Sequence, residues 1–320
     1  MISPQAVTAY APATVGNVIC GFDVLGLALE TPGDWVTVRR SGRARGLRIT
    51  GITGDGGRIP TDPALNSATV AVASLLRGTG RTEGLDIEIE KGLPLSGGMG
   101  GSAASAVAAA VAADRLLDTG LAQDEILRHA VVGERAAAGG AHLDNVAPAL
   151  AGGILLTRPS ARRTLVGLPV PPELTIALLH PRAELRTEEA RAAMGDTVRL
   201  ADAVAQWGNT AAFVHALHTA DWDLLADALE DRVAEPARCG FIPGFGAVRH
   251  AALTAGAAGC GISGAGPSIV AFCRGTDQAA GAGEAMLKAH RAEAGPGATL
   301  YRSRVSARGA RIVSASGGGP

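Results

Sequence analysis

Residues 93–105 read Leu-Pro-Leu-Ser-Gly-Gly-Met-Gly-Gly-Ser-Ala-Ala-Ser, and no other stretch limits the fold and chemistry of this chain so strongly. The segment before it, Leu85–Glu90, alternates apolar and charged side chains and reads as a half-buried strand. Residues 102–117, rich in Ala and Val, read as a helix buried on nearly all sides. Strand, glycine turn and helix in this order bare backbone N–H groups at the positive end of a helix, which is a phosphate-binding arrangement. The run is not G-x-x-x-x-G-K-[ST], because no lysine follows it. It is not G-x-G-x-x-G with a later acidic ribose ligand either. A turn ahead of a packed helix would read the same way, so the run alone does not fix a function.

The rest of the composition narrows the partner. The 320 residues are enough for roughly two domains with a real core. With 47% apolar but only 3% aromatic residues, that core must be built from Ala, Val, Leu and Ile. Twenty-nine basic against 30 acidic side chains leave a net charge of −1, with no polybasic run. That excludes the electrostatic footprint of a nucleic-acid or membrane-surface binder and points to a small ligand. Cys20, Cys239, Cys260 and Cys273 form no C-x-x-C pair and no zinc-spaced cluster with histidine, so free thiols in a reducing compartment are expected. No signal-peptide pattern and no membrane-length apolar run is visible, and a cytoplasmic protein is expected.

The periodicity predicts strands at residues 6–10 and 34–39, a helix at 66–76, a second long helix at 124–138 and a strand at 152–157. Residues 11–26 and 51–63 read as turn-rich connectors, and 158–172 as the boundary between domains. The second half reads as strands at 174–179, 268–272, 299–305 and 311–313. Its helices fall near 188–194, 198–218, 222–233, 245–255 and 278–290. Residues 314–320 are expected to be a disordered tail. Strands separated by helices imply α+β or α/β layering.

Residues 94–105 resemble the phosphate loop of the GHMP kinases (galacto-, homoserine, mevalonate and phosphomevalonate kinases), P-x-x-x-G-L-G-S-S-A-A. Four further segments match in family order. They are Ala11-Pro12-Ala13-Thr14-Val15-Gly16-Asn17 with Gly21-Phe22-Asp23-Val24-Leu25-Gly26; His142-Leu143-Asp144-Asn145-Val146-Ala147-Pro148; Glu235-Pro236-Ala237-Arg238; and Gly261-Ile262-Ser263-Gly264-Ala265-Gly266-Pro267. Together they cover about residues 9–273 and are most similar to the homoserine kinase branch.

The resemblance implies an α+β GHMP kinase fold. A ribosomal protein S5 domain 2-like domain would span 1–168 and a ferredoxin-like domain 169–320, with the active site between them. It implies ATP and Mg2+, with L-homoserine as acceptor and O-phospho-L-homoserine as product, on the way to threonine. ATP would lie on Pro94, Leu95, Ser96, Gly97, Gly98, Met99, Gly100, Gly101, Ser102, Ala103 and Ala104, with Asn66 at the adenine. An N-cap role alone would also account for Asn66. Ser102 and Glu134 would hold the magnesium, though Glu134 could equally be a helix charge paired with Arg128 or Arg135. Asn17, Asp23, His142, Asp144, Asn145, Thr187, Arg191, Arg238 and Gly264 would bind the amino acid. Ser102, Glu134 and Asn145 form the catalytic set; no general base is assigned, Asp144 being the nearest candidate. Relatives often form homodimers. Another small hydroxy amino acid or alcohol as acceptor, or a non-catalytic ligand sensor on the same fold, remains open.

The chain departs from the family pattern in three places. Gly101 replaces the first serine of the usual pair, which makes Ser102 the one hydroxyl at the helix start. Met99 stands for Leu, a volume-conserving swap. Thr14-Val15-Gly16-Asn17 stands for S-S-A-N.

Overall fold

The computed structural model describes residues 4–158 and 164–317. In chain order the first half runs β1 (Pro4–Gly16), β2 (Leu25–Arg40), β3 (Leu47–Thr53), α1 (Ser67–Gly78), β4 (Leu85–Glu90), α2 (Gly101–Leu117), α3 (Gln123–Ala138), α4 (Leu143–Ala151), β5 (Ile154–Thr157) and β6 (Leu165–Leu168). The second half runs β7 (Leu174–His180), α5 (Thr187–Ala192), α6 (Leu200–Thr219), α7 (Trp222–Ala228), α8 (Glu235–Arg238), a 3-10 turn at Cys239–Phe241, and α9 (Phe245–Thr254). It closes with β8 (Gly259–Ile262), β9 (Ile269–Arg274), α10 (Thr276–Ala294), β10 (Thr299–Arg304) and β11 (Arg311–Gly317).

Two sheets result. The first has the order β11-β1-β2-β4-β3, with β5 pairing the start of β2 and β6 pairing β5; only β3 and β4 run parallel. The second is an antiparallel sheet of order β10-β7-β9-β8, with α9 and α10 packed on it. The strict alternation of β4 appears as buried Leu85, Ile87 and Ile89 between more exposed Asp86, Glu88 and Glu90. Helix α2 lies between β1 and β2 on one side and α1, α3 and α4 on the other. Its alanines allow that close approach: Ala103, Ala104, Ala106, Ala108, Ala109 and Ala110 are all solvent-inaccessible.

Several expectations need correcting. β1 runs on to Gly16, through residues read as a loop, because its second half pairs with the start of β2. The connector at 51–63 begins inside β3, whose partner β4 lies far away in sequence. The boundary stretch at 158–172 contains β6, although 159–163 lie outside the described residues. The helix read at 222–233 stops at Ala228, and Asp231 then holds the turn into α8 by accepting from Val233, Ala234 and Glu235 N–H. The tail read as disordered is strand β11 up to Gly317, paired antiparallel with β1; 318–320 lie outside the described residues. Residues 311–317, expected beyond a boundary at 168/169, return to the first sheet. Among the described residues no helix is long and apolar enough to cross a membrane.

Candidate active site

A cavity of about 480 Å³ lies between the two halves, lined by residues from both. The glycine turn forms one wall. Its carbonyls are each held from behind. Gly97 O accepts from Ser268 Oγ (2.5 Å), Gly98 O from Ser263 Oγ (2.7 Å), Met99 O from Thr14 N–H (3.1 Å) and Gly100 O from Ala104 N–H (2.9 Å). A peptide plane whose oxygen points back presents its N–H forward. Among the described residues no backbone N–H from 98 to 103 donates a hydrogen bond. The turn is thus a row of free amides at the start of α2, suited to an anion. Two of its glycines cannot be replaced without strain. At Gly98 (φ +69°) a Cβ would come 2.4 Å from Ser263 O, and at Gly100 (φ +67°) 2.0 Å from Thr14 Oγ1.

Ser102 and Glu134 both line the cavity, one from the first turn of α2 and the other from α3. Glu134 is not the paired surface charge that its helix position allows, because Arg128 binds Asp124 and the Glu134 carboxylate is buried. Its Oε2 has no hydrogen-bond partner. Burial raises its pKa to about 7; the adjacent Ser102 hydroxyl pulls it down, Asp144 adds to the rise, and Lys91 opposes it. A buried carboxylate oxygen without a partner beside a hydroxyl fits a hard cation, whose ligands are oxygens. Asn66 lines the cavity and is also the N-cap of α1: its Oδ1 accepts from Ala68 N–H and its Nδ2 donates to Pro60 O.

The far side of the cavity carries charges of both signs. Arg191 grips Asp23 with both guanidinium ends, at 2.8 and 2.9 Å. The Phe22 ring lies under Arg191 (5.2 Å) and Arg238 (5.4 Å). Arg238 is buried and donates to Ala190 O and Gly264 O. Asn17, in the left-handed region (φ 67°), donates Nδ2 to Gly264 O and accepts Asp23 N–H, so it ties the first half to the loop after β8. Asp144 accepts Asn17 N–H on Oδ2, while its Oδ1 is buried without a partner; burial first, then Asp23, raises its pKa to about 7. Asn145 Oδ1 accepts from Thr14 Oγ1 (2.7 Å). His142, Thr187 and Gly264 also line the cavity, and burial lowers the His142 pKa. Asp23, His142 and Asp144 bring ligand atoms within 4.8 Å of one another.

Not every expected residue reaches the space. Met99, Ala103 and Ala104 turn their side chains into the core and offer only backbone. Arg191 is absent from the lining and stands at its edge through Asp23.

The chain is similar to known proteins along most of its length. The family model of the GHMP kinase N-terminal domain matches residues 66–153, and that of the GHMP kinase C-terminal domain matches 213–292. The homoserine kinase of Chlorobium phaeovibrioides is 44% identical over 97% of this chain and 100% of its own length. The chain belongs to the GHMP kinase family. A crystal structure of homoserine kinase from Cytophaga hutchinsonii, 43% identical, superposes with a TM-score of 0.93 over 97% of this chain and 98% of that one. L. major mevalonate kinase, at 17% identity and a TM-score of 0.72 over 96% and 99% of the two chains, shares the fold.

In this GHMP kinase the residues that shape the phosphate loop are largely ones the sequence did not single out. Ser263 and Ser268 flank the second glycine loop and reach across from the other half of the molecule to hold Gly98 and Gly97. The Gly261–Pro267 motif was visible, but its serine contacts depend on how β8 and β9 face α2. Thr14, one of the departures from the family pattern, holds Met99 by its N–H and Asn145 by its hydroxyl. Lys91, Asp34 and Ser105 form a buried polar cluster under the first turn of α2. Asp34 reads from its strand as one more alternating charge, and nothing in the local pattern marks it as buried.

Proposed function

We propose that this chain is a homoserine kinase, transferring the γ-phosphoryl group of ATP to the side-chain hydroxyl of L-homoserine to give O-phospho-L-homoserine for threonine synthesis. The observation that carries this reading is one cavity with two unlike ends. One end is the row of free amides at the start of α2; the other pairs opposite charges, Asp23 and Arg191, with Arg238 and Asp144 close by. A zwitterionic amino acid supplies the complementary pair of charges.

Each residue then has a role. The amides of 97–102 cradle the triphosphate, and Asn66 holds the loop at Pro60 on which the base would rest. The substrate ammonium goes to Asp23 and the unpartnered oxygen of Asp144, and its carboxylate to Arg191 and Arg238. Thr14 fixes the Asn145 amide by occupying its oxygen, leaving Nδ2 to orient the acceptor hydroxyl. Ser102 and Glu134 would hold Mg2+, which when bound neutralises charge on the phosphate oxygens. The rate then comes from placement and charge complementarity, with no residue assigned as base. The free state of all four cysteines supports a cytoplasmic setting.

ADP release measured in parallel with L-homoserine, L-serine, L-threonine and mevalonate tests the reading. Turnover with L-homoserine well above the other three is expected. Preference for mevalonate, or no ADP with any of them, overturns it.

A further inference from the structure

The glycine turn is not followed by a lysine, yet the fold puts a lysine beneath it. Lys91 lies directly after β4, three residues before Pro94, and its side chain is 2% exposed. All three of its donors are taken: by Asp34 Oδ2, by Gly101 O at 2.8 Å and by Ser105 Oγ at 2.9 Å. Asp34, inaccessible on β2, accepts four bonds. Its Oδ1 takes Gly92 and Leu93 N–H at 3.1 and 3.2 Å, and its Oδ2 takes Lys91 and the Ser105 hydroxyl. One ion pair thus joins the strand end entering the phosphate loop to the first turn of the helix leaving it.

We propose that the Lys91–Asp34 pair is a positioning device for ATP: it fixes both ends of the phosphate loop so that the amides between them converge on the triphosphate. The proposal rests on the ATP reading given above. Lys91 has no donor left for a phosphate, so it acts through the Gly101 carbonyl and Ser105, not by contact. It completes the set of held carbonyls, since Gly97, Gly98, Met99, Gly100 and now Gly101 each have a partner on the side away from the amides. Replacing a buried ion pair by apolar groups is often neutral or stabilising, so stability alone does not account for this one.

The test compares Lys91→Met, Asp34→Asn, the double variant and Ser105→Ala in the full chain. ATP binding is read by calorimetry, KM separately for ATP and L-homoserine, and Tm for folding. Each single change at the pair is expected to weaken ATP binding about tenfold or more with little change in the KM for L-homoserine. The double variant, which leaves no unpaired buried charge, is expected to lose less than the product of the two. If Asp34→Asn leaves ATP binding unchanged or tightens it, the proposal is overturned in favour of a lysine freed to touch phosphate. Equal rises in both KM values overturn it in favour of a purely structural pair. Should the charge variants fail to fold, Ser105→Ala decides: weaker ATP binding with unchanged homoserine KM supports the proposal, and unchanged ATP binding overturns it. Wild-type protein that binds ATP but does not phosphorylate L-homoserine would fail the acceptor reading alone; wild-type protein that does not bind ATP would fail the functional reading itself.

Discussion

Glu134 shows how one side chain can be held in a state that costs stability and serves chemistry. Burial keeps its carboxyl protonated up to about pH 7, against an ordinary value of 4.5. The folded protein therefore binds a proton over that interval which the unfolded chain has already released. Stability from this group is complete below the ordinary value and is lost as pH rises through about 7. Asp144, also raised to about 7, acts in the same direction. Without metal or nucleotide, Tm is expected to fall between pH 5 and pH 8. Glu134→Gln should flatten that fall and add up to about 3 kcal/mol at pH 8, while cutting magnesium-supported turnover by roughly 10²-fold or more. Near-normal turnover of the variant would remove Glu134 from the site. A pH-independent Tm difference between the two proteins would remove the buried-acid account.

Among the elements, the phosphate loop is a local structure finished by distant ones. Gly98 is where the loop after β8 presses on it, with Ser263 O and Gly266 O only 2.4 and 2.7 Å from the point a Cβ would occupy. Gly98→Ala should push the two loops apart and strain a positive φ. The expected result is ATP binding weakened by about tenfold or more and a Tm lowered by several degrees; unchanged ATP binding would show that the loop adapts. This division between local and distant explains what could be read in advance. Leu85–Glu90 announces itself by alternation and α2 by a long Ala/Val run, because each pattern records burial of a whole face. The strand β11 ends Ser314-Ala315-Ser316-Gly317, small residues with no alternation; its order comes from the edge that β1 offers. β3 is likewise a strand because β4 lies parallel beside it, and a glycine inside it conceals the pattern. Asp23, Glu134 and Arg238, picked out by the family resemblance, do line the cavity. Asp34, Lys91 and Ser268 were not legible, because their contacts exist only once β2, α2 and β9 are brought together.

At the scale of the whole molecule, the charged end of the cavity is shared between the halves. Asp23, Asp144 and Asn145 come from the first half, and Arg191 and Arg238 from the second. The two arginines are held differently. Arg191 is about half exposed and has Asp23 as its partner, whereas Arg238 is buried and holds the carbonyls of Ala190 and Gly264. Arg191→Ala removes a charge from a partly solvated pair, so Tm should move little. Arg238→Ala leaves the Ala190 carbonyl without its donor, leaves Gly264 O to Asn17 alone and opens a gap beside Phe22, so Tm should fall as well. Both should raise the KM for L-homoserine by about 10- to 100-fold, the worth of a charge-assisted bond to a carboxylate, and change the KM for ATP much less. Steady-state kinetics with each substrate varied in turn, together with thermal unfolding, separates the cases. If either substitution raises both KM values equally, that arginine holds the halves together without reading the substrate. If Arg191→Ala lowers Tm as far as Arg238→Ala does, the Asp23–Arg191 pair is a structural clasp, and the amino acid must bind elsewhere in the cavity.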